Sequence, residues 1–194
     1  LHSEENYKAD KLDGKVTIWN ENNIKIIERN YKEGKKDGPW TSWDENGQIE
    51  SVINYEDDLL NGSSTYWYQS GKVKSEKNYL DGKLDGKHTS RYENGLKKYE
   101  KDYKDDQLNG VGIFWNENGQ ISSEAIYEED SIIHKVNFFY FENGQLHSEE
   151  NYKAGKPDGK HTSWYENGQL HSEENYKADK LDGKVTIWNE NNIK

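Results

Sequence analysis

Eight tyrosines mark a period along this chain: Tyr7, Tyr31, Tyr55, Tyr79, Tyr103, Tyr127, Tyr152 and Tyr176, 24 residues apart except for one step of 25 between Tyr127 and Tyr152. Self-similarity at that length constrains the fold strongly, because each copy must be one supersecondary unit that packs on its neighbours. Seven residues after most of these tyrosines comes a glycine: Gly14, Gly38, Gly62, Gly86, Gly110, Gly159 and Gly183. Five further on comes a tryptophan: Trp19, Trp43, Trp67, Trp115, Trp164 and Trp188. Arg91 and the Phe138–Phe139–Tyr140 cluster stand in the other two places. A turn glycine follows four residues later, as in Gly47 and Gly168, and is replaced by Asn23 and Asn192 in the outermost copies. Asparagine tolerates positive φ better than most residues, so this position reads as left-handed, the conformation a hairpin turn needs.

The apolar pattern chooses a register. A two-residue Asn-Gly loop would mix apolar and polar side chains on both faces of each hairpin. A three-residue Glu-Asn-Gly loop, a type I turn closed by a bulge glycine, sets Trp164 opposite Leu170, Thr162 opposite Ser172 and Lys160 opposite Glu174. Trp43 likewise meets Ile49, and Trp115 meets Ile121. In this register one face holds the tryptophans, their aliphatic partners and the closing tyrosines Tyr31, Tyr55, Tyr79, Tyr103, Tyr152 and Tyr176 as the structural core. The connection leucines Leu12, Leu60, Leu84, Leu108 and Leu181 fold over its rim. The opposite face carries Trp40, Tyr66, Tyr68, Tyr92, Phe114 and Tyr165, the candidate binding aromatics.

The architecture expected is all-β: an elongated single-sheet antiparallel β-meander of repeated hairpins, solenoid-like, spanning residues 1–194 as one continuous array. It counts about seven repeats with half-hairpins at both ends. Only 30% of the chain is hydrophobic while 13% is aromatic, so Trp and Tyr must supply much of the burial. Their strict phase with turn glycines argues against disorder. Residues 128–141 depart most, lacking both connection glycines and carrying the extra residue; they read as a drifted repeat with a bulge, or as a bend or partner-binding spot. The hairpin with Arg91 is expected to pack more weakly.

The last 25 residues, Leu170–Lys194, repeat the first 25, Leu1–Lys25, without a change. Lys194 and Leu1 therefore share a repeat position, and end-to-end self-association is expected, one chain's first strand completing another's last hairpin. The chain contains no methionine and reads as a fragment of a longer product, so the compartment, cytoplasm or cell surface, stays open.

The net charge of −11 disfavours nucleic acid and anionic lipid and favours a basic protein partner. There is no cysteine and no apolar run of bilayer length, so no membrane insertion is expected.

The pattern W-x-x-N-G-Q-[LI]-x-S-E-x-x-Y-x-x-G-K-x-D-G, clearest over Trp164–Gly183 and recurring at Trp43–Gly62 and Trp115–Tyr127, resembles the bacterial variant of the MORN repeat. It is also similar to YwqK-type antitoxin repeats. The resemblance implies an elongated β-array used as a scaffold and, in antitoxin-like members, neutralisation of a partner protein. The chain departs from it at Arg91, over residues 128–141, and where Asp10, Asp58, Asp106 and Asp179 replace glycine. The motif brings no catalytic residue.

No other chemistry is indicated. The histidines recur by repetition, with His161 facing Glu173, His88 facing Glu100 and His171 facing Ser163 in the expected register, so they read as cross-strand pairs. The Asp-rich connections do not match calcium-loop spacings, and no nucleophile elbow or phosphate loop is present. No catalytic residue, metal or cofactor is expected. The function expected is a non-enzymatic scaffold for protein–protein interaction; the alternative is a carbohydrate or cell-wall-binding surface protein using stacked aromatics.

Overall fold

The computed structural model describes residues 2–190. Twenty strands and no helix form among them, so the chain is the all-β antiparallel hairpin meander that the period implies. It divides into two compact units, one of Leu1–Lys98 with Asp102–Gln107, the other of Tyr99–Lys101 with Leu108–Lys194. In the first, the strands Lys11–Trp19, Lys25–Lys32, Gly38–Trp43, Ile49–Glu56 and Leu59–Trp67 pair antiparallel in chain order. In the second, Ile121–Glu128, Ser131–Tyr140, Leu146–Lys153, Gly159–Trp164 and Leu170–Lys177 do the same.

The three-residue loop forms. Gly168 N–H donates to Tyr165 O at 2.9 Å, Tyr165 N–H donates to Gln169 O at 2.8 Å, and Gly168 is left-handed at φ 82. Asn23 holds the equivalent place at φ 57; Asn192 lies outside the described residues.

The register at the loop is also the expected one: Trp164 pairs with Leu170, Trp43 with Ile49 and Trp115 with Ile121. It does not persist. One residue further on the ladder slips, giving Ser163 opposite Ser172, His161 opposite Glu174 and Gly159 opposite Tyr176. The expected pairs Thr162–Ser172, Lys160–Glu174 and His161–Glu173 are therefore corrected. The same slip follows Trp19, Trp43, Trp67, Trp115 and Tyr140. It is a β-bulge, in which Leu170 and His171 together oppose Trp164.

A one-residue slip flips every later side chain to the other face. The closing tyrosines therefore lie on the face opposite the indoles, not beside them. The physical reason is visible in what the tyrosines meet. Tyr55, Tyr79, Tyr127 and Tyr176 stand opposite Gly38, Gly62, Gly110 and Gly159, where no side chain competes for space with a ring. The slip also brings serine hydroxyls together, Ser42 with Ser51 at 2.8 Å and Ser163 with Ser172 at 2.7 Å. Such cross-strand pairs are worth roughly 0.2–1 kcal/mol each, and the repeat multiplies them.

The core consequently sits on the tyrosine face. Val16, Ser64, His88, Ser123, Ala125, Tyr127, Ser148 and Ser172 are buried there, while Thr89 is buried on the other side. The tryptophans with described burial are only half-buried. The connection leucines follow the tyrosines as well: Leu12, Leu60, Leu84 and Leu181 pair with Tyr7, Tyr55, Tyr79 and Tyr176, rather than folding over the tryptophan rim.

Two further ladders join the repeats. The asparagine before each of several closing tyrosines donates its side-chain N–H to a carbonyl nine residues on, as Asn6 to Lys15 O at 2.7 Å, Asn78 to Lys87 O at 2.8 Å and Asn151 to Lys160 O at 2.6 Å. In the connections, the aspartates that replace glycine adopt positive φ, 72 at Asp58 and 71 at Asp106. Their carboxylates accept the N–H of the preceding connection, Lys36 to Asp58 at 2.9 Å, Leu84 to Asp106 at 2.7 Å and Leu108 to Asp130 at 2.8 Å.

Residues 128–141 keep the hairpin plan. Glu129 and Asp130 form a left-handed pair, at φ 46 and 65, and Ser131–Tyr140 follows as a full strand. A register shift between Ile126 and Tyr127, opposite Ile132 and His134, accommodates the irregularity.

Candidate binding surface

On the tyrosine face Trp40 and His161, each two residues before a serine, lie between two closing tyrosines. Trp40 lies 5.4 Å from Tyr31 and 5.0 Å from Tyr55, ring centre to ring centre. His161 lies 5.6 Å from Tyr152 and 4.6 Å from Tyr176, and His88 packs 5.9 Å from Tyr103. Elsewhere the filler is small: fully buried Ser64, or Gly112 against Tyr127.

The six candidate binding aromatics are all half-buried on this face or at its turn edge, and each has partners of its own. Trp40 donates its indole N–H to Asn30 O at 3.1 Å and carries the cations of Arg29 and Lys36 at 4.8 and 4.5 Å. Tyr66 lies under Lys77 at 5.6 Å, and burial pushes its phenol pKa up. Tyr68 donates to Arg91 O at 2.6 Å, and Tyr165 to Trp188 O at 2.8 Å, each bridging to the next hairpin. Tyr92 lies under Lys98 at 5.6 Å. Phe114 lies 6.4 Å from Tyr99 and 5.0 Å from Lys101, and burial pushes the Lys101 amine pKa down.

On the opposite face the indoles pair with aliphatics and, locally, with cations and rings. Trp19 stacks on His2 at 4.6 Å, and Lys25 sits 4.3 Å over Trp43. Trp67 faces Val73. Trp188 is half-buried beyond the last described strand and donates its backbone N–H to His171 O at 2.8 Å. Glu28 on this face accepts from Lys15 and Lys25 at 3.0 and 3.1 Å; the Lys15 bond holds its carboxyl pKa below the ordinary value, against the opposing effect of burial.

The histidines are spread along the sheet. His171 lies 4.6 Å from Tyr165, and its Nδ1 meets Ser163 Oγ at 3.1 Å, so that contact forms although the two are not register partners. Among the described residues no group of three His, Asp or Glu is placed to hold a metal ion. No helix among them is long and apolar enough to cross a membrane. The pairing expected between the Leu1 position and the Lys194 position lies outside the described residues.

Sequence reasoning missed the asparagine and aspartate ladders and the Glu150–His161–Glu174 cluster. The first two had a signal, the recurrent Asn-Tyr dipeptide and the Asp in place of glycine. The last depended on the bulge.

Antiparallel hairpins stitched repeat to repeat define a β-repeat protein. The MORN repeat variant model matches residues 36–57, 60–81, 108–129, 133–154 and 157–178, more than half of the chain, and the chain belongs to that repeat family. The matched stretches include the drifted repeat and pass over the hairpin with Arg91. MORN repeats are generally protein- or membrane-binding modules of a non-catalytic family. No curated protein matches the chain.

Proposed function

We propose that this chain is a non-enzymatic scaffold whose sheet binds a partner protein. The observation that carries the reading is the state of the aromatics. Tyr68 and Tyr165 spend their hydroxyls on the neighbouring hairpin, and Trp40 is capped by the chain's own Arg29 and Lys36. Such rings offer edges and adjacent charges, which suit protein side chains, rather than free flat faces for stacking sugars. The net charge of −11 favours a basic partner and fast, salt-sensitive encounter. Covering a partner's active surface, the role implied by the antitoxin-like resemblance, is one use of such a sheet.

The test is an immobilised chain challenged with purified basic, neutral and acidic proteins at low and high salt, alongside a glycan array. Salt-sensitive retention of basic proteins with no glycan signal supports the scaffold. Glycan binding that is lost in Tyr92→Ala and Tyr165→Ala would replace it with the carbohydrate reading, and hydrolytic turnover would make the chain an enzyme.

A further inference from the structure

The tyrosine sandwich around Trp40 is completed by two cations from its own chain. Arg29 and Lys36 lie over the indole, and Lys36 also lies 4.8 Å from the Tyr55 ring. The sandwich around His161 has the same frame and the opposite charge. Counted from the closing tyrosines, Glu150 takes the place of Arg29, Pro157 that of Lys36, and Glu174 that of Ile53. The ring walls remain, Tyr152 and Tyr176 on either side of His161, but the cations are gone and two carboxylates have entered.

Glu150, His161, Glu174 and Tyr176 line a cavity of about 350 Å³ within the second unit, together with the hydroxyls of Ser148, Ser163 and Ser172, and the Tyr152 ring packs against His161. The carboxylates are held in place. Tyr152 donates its hydroxyl to Glu150 Oε2, and Tyr176 to Glu174 Oε2, each at 2.6 Å. One oxygen of each remains for an incoming donor. Among the described residues no lysine or arginine comes within ion-pair distance of either. His161 is fixed by its Nε2 contact with Asn151 O at 2.8 Å, so the floor is a ring held in place.

We propose that this cavity receives an arginine or lysine side chain of the partner protein. Aromatic rings attract a cation through the ring quadrupole, and the two flanking carboxylates each offer their remaining oxygen for a charge-assisted hydrogen bond. The chain's own Arg29 and Lys36 already show the cation–ring half of this arrangement in the Trp40 repeat. The proposal rests on the protein-binding reading and specifies its chemistry.

The test is a titration of the full chain with the capped pentapeptide Gly-Arg-Gly-Arg-Gly, followed by NMR at the His161 ring protons. The controls are the citrulline peptide, which keeps the shape and removes the charge, and methylammonium. The arginine peptide should shift His161 saturably and the citrulline peptide should not. Glu150→Gln with Glu174→Gln should weaken binding by about tenfold or more. Glu142→Gln with Glu166→Gln, the same charge change at exposed turn positions, should alter it less than about twofold if the site rather than bulk charge binds. Equal losses in the two double variants, or methylammonium binding without the peptide, would overturn the proposal. Peptide shifts confined to other parts of the sheet would overturn this site and leave the scaffold standing. Failure of every protein and peptide to bind would remove both. Unchanged Asn151 and Tyr176 amide shifts in the free variants check that the frame is intact.

Discussion

Gly112 lies directly beneath the ring of Tyr127: a Cβ built on Gly112 would stand 2.7 Å from Tyr127 Cε2, closer than carbon atoms pack. The same repeat position elsewhere holds Val16, Trp40, Ser64, His88 and His161, so the backbone there accepts side chains. Only the ring forbids one. Tyr127 is 9% exposed and has little room to move. Gly112→Ala should destabilise the chain by about 1–3 kcal/mol through overpacking, read by urea denaturation. In a Tyr127→Ala background the same substitution should cost close to nothing. An equal cost in both backgrounds would place the penalty in the backbone instead.

The connections make a second prediction. Asp106 combines a left-handed backbone with a carboxylate that accepts Leu84 N–H at 2.7 Å, and its own N–H donates to Leu84 O at 2.9 Å. Alanine would lose the side-chain bond and keep the unfavourable φ. Asp106→Ala should cost about 1–2 kcal/mol, whereas Asp106→Gly recovers the conformational part and should cost less. If glycine proves as damaging as alanine, the bond dominates. If both are silent, the stitch between connections contributes nothing measurable.

Tyr68 and Tyr165 test whether the turn aromatics hold the sheet together. Each hydroxyl reaches a backbone oxygen in the next hairpin, Arg91 O and Trp188 O. Tyr68→Phe and Tyr165→Phe each remove one hydrogen bond and leave the ring, so each should cost about 1 kcal/mol. Amide exchange is the finer measurement. Protection should fall around Arg91 in the first variant and around Trp188 in the second, with distant strands unchanged.

The period, the loop and the pairing at the loop were legible because they rest on local chemistry: a left-handed turn residue, an indole opposite an aliphatic, a fixed spacing. The bulge was not. One unpaired residue, such as His171, breaks the alternation at a single point, and every face assigned beyond it inverts. The glycine found 17 residues before six of the eight closing tyrosines, as Gly159 before Tyr176, was the available clue, since a ring over a glycine is a cross-strand pair of the true register. Burial was not legible from sequence at all. Leu170–Glu190 repeats Leu1–Glu21, yet Val16 is 6% exposed and Val185 is 42% exposed. Lys11–Trp19 is a nine-residue strand with a partner on each side, whereas the equivalent stretch forms only the two-residue strands Lys180–Leu181 and Thr186–Ile187. Identical residues differ because neighbouring strands, not intrinsic preference, supply most of their ordering.

The titrating groups predict how stability responds to pH at both extremes. Hydrogen bonds to Glu150 and Glu174 raise the phenol pKa values of Tyr152 and Tyr176 above the ordinary value, and burial raises those of Tyr79 and Tyr127. A folded pKa above the unfolded one, about 10 for tyrosine, contributes stability that is complete below that pH and is lost as pH rises through the folded value. Glu28 has the opposite sign. Its pKa is lowered, chiefly by Lys15, so its contribution is present above the unfolded pKa of about 4.3 and is lost as pH falls through the folded value. Stability should therefore be flat through neutral pH, fall on the alkaline side only beyond about pH 10, and fall on the acid side only below the ordinary carboxylate range. Tyrosinate absorbance recorded with near-ultraviolet circular dichroism checks the alkaline limb. A subset of phenols should titrate late and together with loss of aromatic dichroism, and in Glu150→Gln with Glu174→Gln the Tyr152 and Tyr176 phenols should titrate earlier. Phenols that all titrate near the free value while the dichroism persists would show that the tyrosine row is not held as the structure describes.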